Sequence, residues 1–121
     1  MKPEKIVFYI GGYPGPYHYL SYDGDELVYT DSAGGIDSDS NVSITPSRTK
    51  WKNFKTKLDT IDIWGWDKRY VMKGVCDGTQ WEFEVHWGSQ KIRSYGDNDY
   101  PESFEMLLQA IRNLSSINDI S

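Results

Sequence analysis

Between positions 80 and 87 apolar and polar residues alternate without a break. Trp81, Phe83, Val85 and Trp87 stand against Gln80, Glu82, Glu84 and His86. Period two over eight residues predicts a strand with one buried and one wet face. Gly88-Ser89 then predicts a two-residue type II′ loop. That loop sets Val85 opposite Ile92 and Glu84 opposite Arg93, so the alternation continues into a return strand. Upstream, Asp77-Gly78 predicts a second tight turn after a strand over 70–76, with Gly74 opposite Trp81 and Lys73 opposite Glu82. After 94–99, a turn, the period changes to that of a helix: Phe104, Leu107, Leu108, Ile111 and Leu114 fall on one stripe. Asp99 and Glu102 fit a capping box with Pro101 in the first turn. The helix is expected to end near 113–116, with a frayed tail beyond.

The first half repeats the scheme less cleanly. A continuous apolar run over 5–10 predicts a central or well-covered strand, and the breaker cluster 11–16 a loop. Asp23-Gly24 between 17–22 and 26–31 predicts a type I′ hairpin with Leu20 opposite Leu27 and Tyr19 opposite Val28. A polar loop over 31–41 and a short strand at 42–44 follow. Thr45 as cap and Pro46 at the first helical position predict a helix over 46–60, its stripe formed by Trp51, Phe54, Leu58 and Ile61. Gly65 ends it. The expected architecture is α+β: a single antiparallel sheet of about six strands in βββαβββα order, with two helices packed on one face. The expected core is Val7, Leu20, Leu27, Trp51, Phe54, Leu58, Met72, Trp81, Phe83, Val85, Ile92, Phe104, Leu108 and Ile111.

Length and composition narrow the class. The chain of 121 residues is read as one globular domain, 1–121, frayed from about 116. Cys76 is the lone cysteine, so no internal disulfide forms, and in its apolar setting it reads as a small buried hydrophobe. No apolar run is long enough to span a bilayer, and the N-terminal run is too short for a signal peptide core with a cleavage site. A cytoplasmic location is the expectation, with a removed leader left open. The net charge of −5 argues against non-specific nucleic-acid binding. The cations are bunched: Arg48, Lys50, Lys52, Lys55 and Lys57 lie within ten residues, so the remainder is more acidic than the total. Nine tyrosines and five tryptophans mean either a ring-filled core or rings displayed for binding.

Motif chemistry is sparse. Asp37-Ser38-Asp39-Ser40-Asn41 opens like a calcium loop, but Val42 stands at the turn glycine and Arg48 at the bidentate acid, so no metal is expected. His18 and His86 have no metal-ligand spacing, and no nucleophile, phosphate-loop or zinc-protease motif occurs. No catalytic residue and no cofactor is assigned. The candidate binding residues are Tyr13 and Tyr17 at the glycine-proline rim, His18 beside them, and Arg48, Lys52 and Lys55 on the basic helix. Trp64 and Trp66 join them in a short connector ahead of Tyr70, where exposed rings would serve as interface anchors.

The residues Asp77, Gly78, Trp81, Phe83 and Val85, followed by Gly96, Asn98, Tyr100, Pro101 and Phe104, resemble a pattern from small, mostly uncharacterised bacterial proteins. With Trp51, Phe54, Leu58, Trp66 and Tyr70 upstream, the resemblance covers 51–114. It implies a fold and no activity. The leading functional expectation is a non-enzymatic protein of bacterial or phage origin that binds and occludes a protein partner, as a small acidic immunity or inhibitor protein does. The alternatives are a small-ligand or nucleotide binder using the open sheet face and the basic helix, and an enzyme using His18 or His86. Oligomeric state is not legible.

Overall fold

The computed structural model describes residues 2–12, 16–32, 39–71 and 78–120. They form one seven-stranded sheet with two helices, an α+β architecture. The strands are β1 (Lys5–Gly11), β2 (Tyr17–Tyr22), β3 (Leu27–Ser32), β4 (Asp39–Ile44), β5 (Arg69–Val71), β6 (Gln80–Trp87) and β7 (Gln90–Asp97). The helices are α1 (Arg48–Thr60) and α2 (Phe104–Ser115), with a short 3-10 turn at Ile63–Gly65. The strand order is β4-β3-β2-β1-β6-β7-β5. Every pairing is antiparallel except β5 with β7. Among the described residues, no helix is long and apolar enough to cross a membrane.

β6 obeys its pattern: Trp81, Phe83, Val85 and Trp87 are buried, and the intervening residues are not. Gly88 turns the chain at φ 62° and sets Val85 opposite Ile92 and Glu84 opposite Arg93, as the loop length requires. β1 lies on the other side of β6, with Phe8 opposite Phe83. This register fixes the phase of the apolar run, which a run without alternation cannot do. Ile6, Phe8 and Ile10 are buried under the helices; Val7, expected in the core, turns to the uncovered face.

With β1 and β7 on its two edges, β6 has no edge left for residues 70–76. Trp81 sits between Ile10 and Gly96, and Glu82 between Tyr9 and Tyr95; Gly74 and Lys73, the partners expected from sequence, lie outside the described residues. Residues 72–77, Met72 and Cys76 included, lie outside the described residues. The room beside Trp81 comes instead from Gly96, where a Cβ would overlap the indole and stand 2.6 Å from the Asp99 carbonyl oxygen.

Four further expectations shift. The β2–β3 hairpin pairs Tyr22 with Leu27 and Leu20 with Tyr29. The Asp23 carboxylate accepts from the Asp25 and Glu26 N–H groups, making a four-residue loop. Slipping by two keeps every side chain on its face, so Leu20 and Leu27 remain buried. α1 is capped by Ser47, whose Oγ accepts from Lys50 N at 3.1 Å, rather than by Thr45. The Asp99 carboxylate bonds the Tyr100 N–H, so no capping box forms and α2 begins at Phe104. The stripe Phe104, Leu107, Leu108, Ile111 and Leu114 is buried throughout. Beyond Ser116, at φ 62°, the chain folds back: Ile120 is fully buried and its carbonyl accepts from Arg112 Nε at 2.6 Å. That segment packs where fraying was expected.

An acidic aromatic groove at the helix–sheet junction

The core of this end is a ring pair. Trp81 and Phe104 pack with centroids 4.8 Å apart, and the indole N–H of Trp81 donates to the Asp99 carbonyl at 2.9 Å. A second layer leans on it: Trp66 lies 6.1 Å from Trp81, Tyr70 5.8 Å from Trp81, and Tyr100 4.9 Å from Phe104. These outer rings are partly solvent-exposed, Tyr100 most of all, and form the floor of an open groove of about 690 Å³. Rings supported from behind present their outer edges at little entropic cost to a partner.

The surrounding segments follow from local sequence. α1 ends at Ile61, and Asp62 takes the left-handed conformation (φ 51°) that aspartate tolerates better than most residues. The 3-10 turn then carries the chain to Trp66. The Tyr70 hydroxyl accepts from the Asp67 N–H at 3.0 Å, and the Ser94 hydroxyl donates to the Asp67 carbonyl at 2.6 Å, pinning this segment to β7. The parallel pairing of β5 with β7 brings 62–71 beside 99–103.

The rim is charged. Asp62, Asp67, Asp99 and Glu102 line the groove, with Arg69 as its one cation among the described residues. None of the four carboxylates enters an ion pair among the described residues. Asp59, Glu82, Glu84 and Glu105, by contrast, are ion-paired. Glu82 binds Arg93 at 2.8 Å, and Glu84 binds Lys5 at 3.4 Å and His86 at 2.8 Å. Burial would raise the Glu84 carboxyl, but hydrogen bonds from His86 and Lys5 outweigh it and hold it below its ordinary range.

The residues singled out from sequence are dispersed. Trp66 is in the groove. Trp64 is not: its indole donates to Asp59 at 2.8 Å, Lys55 lies 5.7 Å over its ring, and Lys55 also bonds Asp59. Hydrogen bonds from Lys55 and Trp64 lower the Asp59 pKa. Arg48 and Lys52 are exposed on α1. Tyr17 is on the uncovered sheet face, packed edge-on against Tyr9 at 6.0 Å. His18 is on the helix side, with Nδ1 2.6 Å from the Tyr29 hydroxyl, which donates to Asp31. Burial lowers the His18 pKa against the pull of Asp31 and Asp119. Tyr13 lies outside the described residues. The basic helix covers one side of the sheet and the open face is the other, so the two do not combine into one ligand site. Sequence reasoning marked Trp66 and Tyr70 and missed the carboxylates and Tyr100. Asp62 and Asp67 flank the Trp-Gly-Trp connector, which is the one local signal that could have indicated them.

Among the described residues, no group of three or more His, Cys, Asp or Glu side chains is placed to hold a metal ion. No protein-family model matches the chain, and comparison with curated proteins finds no match.

Proposed function

We propose that this chain is a non-enzymatic protein-binding protein of inhibitor or immunity type, of bacterial or phage origin, that occludes a basic surface of a protein partner. The observation that carries the reading is the groove: three braced rings under four carboxylates that have no ion pair among the described residues. Lysine and arginine side chains are attracted to both parts, to ring faces through the quadrupole and to carboxylates through charge. Aromatic anchors of this kind contribute most to interface affinity, while acidic rims speed and orient encounter with basic partners. The bacterial or phage origin rests on the resemblance of the 77–104 pattern.

The test compares wild type with a variant carrying Asp62→Asn, Asp67→Asn and Glu102→Gln as baits in a lysate of the native cell. A basic protein should be retained by wild type and released as salt shortens the screening length to a few ångströms, about 3 Å at 1 M. The variant, matched in circular dichroism, should retain little of it. Retention indifferent to both salt and the three substitutions would refute the proposal.

A further inference from the structure

The seam between α1 and α2 opens into a second concavity, a cleft of about 290 Å³, near the lower limit for ligand pockets. Lys50, Asn53 and Lys57 lie along one face of α1 at i, i+3 and i+7, and Asn113 faces them from α2. The floor is apolar: Phe54, Ala110 and Leu114. Helix seams favour interlocking apolar side chains. Here Lys50, Asn53 and Lys57 share the α1 side of the seam with Phe54, and the two lysines are half-buried.

The polarity of the lining is one-sided. In a chain of net charge −5 no carboxylate lines the cleft among the described residues. Lys50 and Lys57 form no ion pair among the described residues. Lys50 touches the Ser116 hydroxyl, which uses one of its three ammonium hydrogens. Asn113 Oδ1 already accepts from Gln109 Nε2 at 3.0 Å, leaving its Nδ2 hydrogens as donors. The lysine stems start about 10 Å apart along the helix axis, with Asn53 between them. Ammonium and amide donors above an apolar floor suit a ligand with an oxyanion at one end and an apolar body at the other.

We infer that this cleft binds a small organic oxyanion, a carboxylate or a phosphate monoester. The anion meets Lys50, Lys57 and Asn113, and the apolar body lies on Phe54, Ala110 and Leu114. The site is separate from the acidic groove and does not depend on the protein-binding reading. The full chain, labelled with 15N, is titrated at fixed ionic strength with phenyl phosphate, phenylacetate, inorganic phosphate and phenol, following the side-chain amides of Asn53 and Asn113. At least one aryl oxyanion should give saturable shifts at these amides, with inorganic phosphate and phenol each binding about tenfold more weakly. Lys50→Gln and Lys57→Gln should each reduce affinity about tenfold, the effect of losing a charged hydrogen bond, with the unfolding transition unchanged. The inference is overturned if neither aryl oxyanion saturates, if inorganic phosphate binds equally well, or if both substitutions leave binding intact.

Discussion

Replacing Trp81 by alanine removes the element that supports both the sheet core and the groove. The side chain is 2% exposed and touches Phe104, Tyr70 and Trp66. A buried tryptophan covers about 150–250 Å². At about 25 cal/mol per Å², less what the alanine methyl keeps, the transfer loss is about 3–5 kcal/mol. The Asp99 carbonyl also loses its indole donor, which adds about 1 kcal/mol unless water replaces it. The total, about 4–6 kcal/mol, is a large share of the stability of an ordinary domain. Urea unfolding followed by far-ultraviolet circular dichroism, with m unchanged, measures it directly. A loss well under 1 kcal/mol would refute the packing and the register that carries it. Trp81→Phe, which keeps a ring and loses the donor, should fall between wild type and alanine.

Other outcomes follow from the same contacts. Gly96→Ala drives a Cβ into the Trp81 indole and should cost about 1–3 kcal/mol in the same urea assay. Ile120→Ala should cost about 2 kcal/mol or more, because Ile120 is fully buried; a neutral result would mean the C-terminal segment does not pack. His18 has a folded pKa below its ordinary 6.5, so the unfolded chain binds the proton more tightly. Its contribution is therefore complete above pH 6.5 and is lost as pH falls through the lower folded value. Stability measured from pH 7.5 to 5.5 should decline in wild type and decline less in His18→Gln. Equal slopes would remove His18 as the source.

How legible these features were depended on whether the decisive interaction was local. The burial phase of β6 and the β6–β7 register could be read because strict alternation and a two-residue loop each fix the pairing. The α2 stripe was legible for the same reason. The run over 5–10 carried no phase, so Val7 was placed inside until its pairing with β6 set it outside. The Asp77-Gly78 signal could not show that β1, from the other end of the chain, takes one edge of β6 and β7 the other. Thr45 lost its capping role to Ser47 two residues on, and α2 starts past Asp99, with Ser103 at its N-cap and no side-chain cap, differences that tertiary context decides. The groove was half visible: the Trp-Gly-Trp connector stood out, whereas Asp99, Tyr100 and Glu102 reach it only through a three-residue parallel pairing with weak sequence signal.

The groove reading is tested most directly by a 1H–15N titration of the chain with a lysine- and arginine-rich decapeptide. An acidic decapeptide of equal length serves as control. The account predicts saturable, salt-sensitive shifts centred on the Trp66 indole N–H and the backbone amides of Asp67, Tyr70, Tyr100 and Glu102, with none from the control. Shifts scattered over the acidic surface, or absent at Trp66, would contradict it.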